Sequence, residues 1–217
     1  IAACAHHQTK LVFFDNTYMY PQTAEVQTED CRFEPNGAKG QVRAAIANQL
    51  LNAMKAGQVE TVICRAPEFY GPGMTQSITN ATVIDNLKAG KKARVFLQDD
   101  TRRTLIYTPD ASRAMALLGN TPFAYGQTWH LPCDDNRLTY KEFVDLAAKA
   151  LAVKPEYVVL KKWQIKLAGI FSQRIRDAAE LLPRYEVDNI FSSAKFKQAF
   201  PGFEVTTVKA GLETIAA

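Results

Sequence analysis

The segment Lys10–Asn16 (KLVFFDN) decides how this chain is expected to fold. Its run of apolar residues is typical of a strand buried on both faces, as in a parallel sheet. The strand stops abruptly at Asp15 and Asn16, and ligands of open α/β folds bind at such carboxyl ends. The segment therefore predicts one strand of a parallel α/β sheet with a binding site at its end.

The residues that follow predict a strand–helix–strand unit. Apolar residues recur at helical spacing within Ala38–Ala56, where Val42, Ile46 and Leu50 form the expected core stripe. A second apolar strand is predicted at Glu60–Arg65 (ETVICR). A helix of this length between two strands predicts that the strands are parallel neighbours, so their polar ends meet at one edge.

Further elements continue the α/β pattern. Strands are predicted at Ala93–Leu97, Thr104–Thr108, Thr128–Leu131 and Tyr157–Leu160. Helices are predicted at Ile1–Gln8, Ile78–Leu87, Asp110–Gly119, Leu138–Leu151 and Trp163–Phe171, and Ala66–Gly73 is predicted to be a loop. Asp110 is the expected N-cap of its helix, and Thr139 with Glu142 forms a capping box. Gly, Pro and Ser residues do not cluster into a linker anywhere in the sequence, so the C-terminal part is expected to pack on the main body.

The composition is that of an ordinary globular protein, with 217 residues of which 47% are hydrophobic and 22% charged. The net charge of +4 comes from interspersed residues, which argues weakly for an anionic small ligand and against a nucleic-acid partner. No apolar run reaches the roughly 18 residues of a membrane span. The start carries no secretory signal pattern, so the expected location is the cytoplasm.

The cysteines and histidines do not form a recognisable metal pattern. No C-x-x-C pair occurs, so the sequence predicts free thiols and no metal site at Cys4, Cys31, Cys64 and Cys133. The adjacent His6 and His7 would point about 100° apart on a helix, which disfavours a joint site.

Several motifs occur in an order that is informative together. Arg65–Gly73 (RAPEFYGPG) follows a strand, and Phe14–Asn16 is followed by Met19–Pro21 (MYP). Arg103 precedes an apolar strand and Asp110, and a C-terminal segment contains Val187–Phe196 (VDNIFSSAKF). This order resembles the NAD-dependent epimerase/dehydratase branch of the extended short-chain dehydrogenase/reductase superfamily. Arg65–Gly73 matches that family's Arg-x-x-x-x-Tyr-Gly-Pro-Gly motif in full.

The resemblance implies a fold, a division into domains and a cofactor. The implied fold is a partial Rossmann-like doubly wound parallel sheet with a small C-terminal α+β substrate lobe. Residues 1–150 would form the partial NAD(P)-binding domain with interleaved substrate segments, and residues 151–217 the lobe. The cofactor would be NAD or NADP, and family members often dimerise through the helix that here is Ala38–Ala56.

Three departures from the family pattern bear on activity. The glycine-rich loop G-x-x-G-x-x-G, which holds the pyrophosphate, does not occur, so we expect the first third of the family's domain to be absent from this chain. The family's Tyr-x-x-x-Lys positions fall at Gly37 and Gln41, with Lys39 near enough to take the lysine role. The usual pair of hydroxyl residues is replaced by Asp15 and Asn16.

The resemblance also implies site residues, for which structural alternatives stay open. The catalytic candidates are Asp15, Asn16, Tyr18 and Tyr20. The cofactor-binding candidates are Phe14, Lys39, Arg65, Ala66 and Pro67, and the substrate-binding candidates are Phe69, Tyr70 and Arg103. Alternatively, both tyrosines pack against Phe69 and Tyr70, Arg65 pairs with a carboxylate, Arg103 pairs with Asp99 or Asp100, and His130 is a packing residue.

Two functions are compatible with these patterns. One is an NAD(P)-dependent oxidoreductase or epimerase with atypical active-site residues, acting by hydride transfer on a small carbonyl or nucleotide-sugar-type substrate. The other is a non-catalytic nucleotide-binding sensor or scaffold on the same fold. The missing Tyr-x-x-x-Lys pair favours the second, whereas the Arg65–Gly73 motif and the substrate-lobe pattern favour the first.

Overall fold

The computed structural model describes residues 1–73, 75–171, 173, 176 and 179–217. The helices are α1 (Ala2–His6), α2 (Gly37–Lys55), α3 (Asp85–Lys88), α4 (Thr108–Gly119), α5 (Tyr140–Ala150), α6 (Lys162–Phe171), α7 (Ala194–Ala199) and α8 (Val208–Ala216). The strands are β1 (Leu11–Asp15), β2 (Thr61–Arg65), β3 (Glu68–Tyr70), β4 (Ala93–Phe96), β5 (Arg102–Arg103), β6 (Leu105–Tyr107), β7 (Gln127–His130), β8 (Leu138–Thr139) and β9 (Tyr157–Leu160). A π-helical turn, Asn80–Ile84, leads directly into α3.

A parallel three-stranded sheet in the order β1-β2-β7 forms the centre of the fold. The register pairs Asp15 with Arg65 and Arg65 with His130, so the carboxyl ends of the three strands lie in one row. The middle strand β2 is buried along its whole length. This confirms the α/β fold class and the predicted parallel pairing of the first two strands.

Helix α2 faces the protein with its small residues. Ala44 and Ala47 are buried and so is Leu50, but Val42 is 58% exposed. The predicted stripe of Val42, Ile46 and Leu50 is therefore wrong at its first position. Periodicity did not distinguish the two faces, because alanines count as apolar on either side of this helix.

The small residues of α2 allow it to approach the loop that follows β1. Ala44 and Ala47 form a cluster with Met19 and Tyr20 from that loop. A Cβ atom added at Gly40 would lie 2.8 Å from the backbone oxygen of Tyr18, so the helix and the loop touch here. This contact places the loop against the first turns of α2.

Two local predictions are corrected. The expected loop after Arg65 contains the short strand β3, which pairs in parallel with β6. Helix α4 begins at Thr108, so Asp110 lies inside it and is not the N-cap. The Asp110 carboxylate instead accepts hydrogen bonds from the backbone N–H and the hydroxyl of Thr206, at 2.6 and 2.9 Å. The capping box of Thr139 and Glu142 at the start of α5 is confirmed.

The C-terminal residues pack on the earlier part of the chain, as predicted. Strand β9 pairs in parallel with β4, and single bridges join Gln27 to Phe191 and Arg103 to Asn189. The division at residue 150 stays a prediction. Within the ranges that the structure describes, no helix combines the length and the apolar character needed to cross a lipid bilayer.

Candidate functional site

The ends of β1 and β2 form one continuous edge. Asp15 lies opposite Arg65, and the Ala66 N–H donates to the Asp15 backbone oxygen at 3.0 Å. Beyond this pair, β1 continues into Asn16, while β2 continues into the buried residues Ala66 and Pro67. The predicted meeting of the two strand ends is therefore confirmed.

A buried ion pair holds this edge together. Asp15 Oδ2 accepts hydrogen bonds from Arg65 Nε at 3.1 Å and from Nη2 at 3.0 Å, and both residues are 1% exposed. The expected structural pairing of Arg65 with a carboxylate is confirmed. Because a buried charge is costly unless it is paired, this bond ties the end of β1 to the end of β2.

A chain of hydrogen bonds extends the ion pair across the sheet. Arg65 Nη1 donates to the Tyr20 hydroxyl at 2.6 Å, and that oxygen lies 2.8 Å from His130 Nε2. His130 Nδ1 lies 2.8 Å from the backbone oxygen of Ser192. Because a carbonyl only accepts, Nδ1 carries the hydrogen and Nε2 accepts from the Tyr20 hydroxyl. His130 is thus a neutral, fully bonded residue of the interior.

Burial shifts the ionisation of both rings in this chain. It raises the pKa of Tyr20 to about 12, against the opposing charge of Arg65. It lowers the pKa of His130 to about 3. Tyr20 is 1% exposed and its ring packs near Phe33 and His130, whereas the sequence alternative expected Phe69 and Tyr70 as its neighbours. That alternative is wrong in its partners.

Tyr18 and Asn16 are the partly exposed polar residues of the loop after β1. Asn16 Oδ1 accepts from the Tyr18 N–H at 3.0 Å, which fixes the turn between them. The Arg184 guanidinium lies 5.1 Å from the centre of the Tyr18 ring and donates to the Thr17 hydroxyl at 2.8 Å. A C-terminal segment thus supports the loop that carries the candidate phenol.

A second buried cluster surrounds Glu68. Its Oε1 accepts from the hydroxyls of Thr79 at 2.7 Å, Tyr140 at 2.6 Å and Tyr185 at 3.3 Å. Its Oε2 lies 3.4 Å from Arg103 Nη2. The predicted alternative that Arg103 pairs with Asp99 or Asp100 is wrong, because the carboxylate that pairs with Arg103 is that of Glu68.

The N-terminus of α2 holds a carboxylate that the sequence did not reveal. Glu180 Oε1 accepts from the Lys39 N–H at 2.8 Å. Its carboxyl carbon would lie 3.2 Å from a Cβ atom added at Gly37. A side chain at Gly37 would therefore compete with Glu180 for space. Gly37 has a φ of +76°, a conformation that favours glycine.

The remaining candidates lie on β1 and β3. Phe14 is 44% exposed and, with Phe69, lines a small cavity of about 260 Å³. Tyr70 is 1% exposed, and its ring packs against Tyr107 and Phe143 in the core. The structure thus brings Asp15, Asn16, Ala66 and Pro67 together at one edge and separates Tyr70 from them in the hydrophobic core.

Sequence reasoning missed Glu180 and Arg184, and assigned His130 only to packing. Glu180 and Arg184 are distant from the other site residues in sequence, and no motif marks them. Arg184 is partly buried, and its desolvation together with the nearby Arg103 charge lowers its pKa. Only the return of the C-terminal segment to the edge brings these groups into the site.

Comparisons with known proteins bear directly on this fold and edge. The sequence matches the NAD dependent epimerase/dehydratase family over residues 1–129. No curated protein sequence gives a significant match.

Similar solved structures include a nucleotide-sugar epimerase and a nucleotide-sugar dehydratase. UDP-glucuronic acid 4-epimerase from Bacillus cereus, in complex with UDP-glucuronic acid and NAD, has a TM-score of 0.78 at 16% identity, with 99% of this chain and 63% of that chain covered. dTDP-glucose 4,6-dehydratase from Bacillus anthracis, in complex with NAD, has a TM-score of 0.73 at 16% identity, covering 99% and 63%. RMD from Pseudomonas aeruginosa, complexed with NADPH, has a TM-score of 0.70 at 19% identity, covering 96% and 65%.

These identities establish a shared fold, and this chain spans less than two thirds of each of those structures. The sheet order, the row of strand ends and the Rossmann-like neighbours agree with the sequence match. Because that match covers residues 1–129 of 217, more than half, the chain belongs to the NAD dependent epimerase/dehydratase family.

Proposed function

We propose that this chain acts as an NAD(P)-dependent oxidoreductase or epimerase with atypical active-site residues. Its substrate would be a small carbonyl or nucleotide-sugar-type compound, changed by hydride transfer. The observation that carries the proposal is the pairing of Asp15 with Arg65, which places the ends of the two strands side by side at one edge of the sheet. Membership of an NAD-dependent family and neighbours solved with NAD or NADPH support it.

The residues at this edge suit the nicotinamide end of the cofactor. Ala66 and Pro67 continue β2 beside Asn16, and we assign their backbone the contacts to the nicotinamide carboxamide. When bound, the cofactor would supply the hydride donor or acceptor. Asn16 has an amide that can hold a substrate oxygen, because it lies partly exposed at the strand end.

Two different roles follow for the four catalytic candidates. Tyr18 is the partly exposed phenol of the loop, so we assign it the proton transfer at the substrate oxygen. Asp15 and Tyr20 are each 1% exposed and bonded to Arg65, so we assign them the positioning of the edge. Asn16 would hold the substrate oxygen beside Tyr18.

Titration with NADH and NADPH, followed by cofactor fluorescence, tests the proposal and separates the two cofactors. The Asn16→Phe variant should block the edge, while Asn48→Phe, on an exposed position of α2, serves as the matched control. We expect wild type and Asn48→Phe to bind one of the cofactors and Asn16→Phe to bind neither. Equal binding by the two variants would refute the assignment of the edge.

A non-catalytic sensor or scaffold is the second candidate. Gly37 and Gln41 bring neither a phenol nor an amine to the family's Tyr-x-x-x-Lys positions, and Glu180 fills the space beside Gly37. Cofactor binding without turnover of a panel of sugars, aldehydes and ketones would favour this function. Turnover that is lost in Tyr18→Phe would favour the enzyme.

We also propose a homodimer through α2 and a cytoplasmic location. On α2, Val42 and Ala45 are exposed and small enough for close helix approach. Light scattering on wild type and Val42→Glu tests the dimer, which should dissociate in the variant.

All four cysteines are free thiols, in agreement with the sequence prediction and with a reducing compartment. Microscopy of a fluorescent fusion tests the location.

A further inference from the structure

A large cavity lies between β4, α6 and the π-helical turn. Its volume is about 680 Å³, within the usual range of about 300–1,000 Å³ for small-molecule sites. Apolar side chains form most of its wall, among them Ile78, Phe96, Leu160, Ile165, Leu181 and Leu182. Of the described residues that line it, Arg94 alone carries a formal charge, and Arg94 is exposed.

Arg184 and Tyr185 connect the cavity to the loop after β1. Arg184 supports the loop through its bond to the Thr17 hydroxyl, at 2.8 Å. The next residue, Tyr185, lines the cavity. Two consecutive residues thus contact the candidate catalytic loop and the cavity, so a compound in the cavity would be linked to that loop through one short segment of the chain.

Tyr185 separates the cavity from the charged cluster around Glu68. Its ring packs edge-on against Phe96, with ring centres 5.3 Å apart, and it is 4% exposed. The Arg103 guanidinium lies 4.6 Å from the centre of the same ring, and Arg103 is absent from the cavity lining. A ligand in the cavity would therefore meet the phenyl ring of Tyr185 and not the arginine behind it.

Glu68 is the ion-pair partner of Arg103, whose Nη1 and Nη2 are both bonded, while its buried Nε has no hydrogen-bond partner among the described residues. The carboxylate is 3.4 Å from Arg103 Nη2 and also accepts three hydroxyl hydrogen bonds. Arg103 Nη1 donates to the backbone oxygen of Arg184. A phosphate group that entered the cavity would have to move the buried Tyr185 ring before it reached Arg103.

We propose that the cavity binds an uncharged, largely apolar carbonyl or alcohol compound that carries no phosphate group. This inference rests on the function proposed above and names the substrate class for it. The multiple charges of a nucleoside diphosphate need several charged donors, whereas the described lining residues supply one, an exposed arginine. An apolar compound gains free energy from the wall in proportion to the area that it buries.

Nile red, a neutral and apolar dye whose fluorescence rises on burial, tests the proposal. The variant Ala168→Trp fills the cavity from a partly buried position of its wall, and Ala210→Trp adds the same side chain at an exposed position of α8. We expect wild type and Ala210→Trp to bind the dye, and Ala168→Trp to bind it about tenfold more weakly. UDP and inorganic pyrophosphate at millimolar concentration should not displace the dye.

Two results would overturn the proposal. One is equal dye binding by Ala168→Trp and Ala210→Trp, which would place the dye outside the cavity. The other is displacement by UDP that disappears in Arg103→Met, which would show that the arginine accepts a phosphate group. The NADH and NADPH titrations test the edge at the strand ends and not this cavity. Their failure would count against the proposed cofactor, whereas failure of the dye experiment would count against the proposed ligand of the cavity.

Discussion

The Asp15–Arg65 pair should dominate the stability of the sheet edge. In Asp15→Asn, the carboxylate that accepts from two guanidinium nitrogens at 3.0 and 3.1 Å becomes a neutral amide. Arg65 remains charged and 1% exposed, with Tyr20 as its other partner. Removing one partner of a buried ion pair typically costs about 3–5 kcal/mol.

The asparagine oxygen still accepts one hydrogen bond, so we expect a loss near the lower limit, about 3 kcal/mol in the free energy of unfolding. Urea denaturation followed by tryptophan fluorescence measures this loss. Asp30→Asn, at an exposed position, is the matched control and should change stability by less than about 0.5 kcal/mol.

A double-mutant cycle identifies the source of the loss. In Asp15→Asn combined with Arg65→Met, no unpaired charge remains, so the double variant should be less destabilised than the sum of the single variants. A loss below about 1 kcal/mol for Asp15→Asn, or strict additivity in the cycle, would refute the reasoning.

Three further predictions concern buried groups. His130 has a folded-state pKa of about 3, below its usual value of 6.5, so only the unfolded chain gains this proton as the pH falls from 6.5 towards 3. This difference in proton binding should lower the free energy of unfolding by about 1.4 kcal/mol per pH unit below 6.5. Urea denaturation at pH 7 and at pH 5 measures the effect. The free energy of unfolding should fall less between these two pH values in His130→Gln than in wild type. Burial raises the pKa of Cys64 to about 12 and also raises that of Cys133. A thiol reagent should therefore modify the other two cysteines in the native protein and all four only in denaturant. Rapid labelling of all four cysteines in the native protein would contradict this prediction. A Cβ atom at Gly71 would clash with the hydroxyl oxygen of Thr108, so Gly71→Ala should destabilise the protein by about 1–3 kcal/mol. Gly202→Ala is the control, because no atom lies within 4 Å of a Cβ atom at Gly202. Equal melting temperatures of the two variants would count against the packing described.

The sequence alone determined the class of the fold and the edge at which the ends of β1 and β2 meet. The apolar run before Asp15 and the one before Arg65 have the composition of buried parallel strands, and the helical segment between them requires a crossover. These signals are local or depend only on element order, so they can be read from one chain. The capping box at Thr139 was predictable for the same reason, since both partners lie within one helical turn.

The tertiary structure alone decided which groups share the site and which remain accessible. Tertiary contacts join Glu68 to Arg103 and Glu180 to Gly37, and the residues of each pair are far apart in the chain. No spacing in the sequence encodes such contacts. The buried face of α2 was also undecided, because its alanines suit a core and a surface equally well. Burial then separated Tyr18 from Tyr20, two residues apart in the chain, since only packing determines which phenol meets solvent.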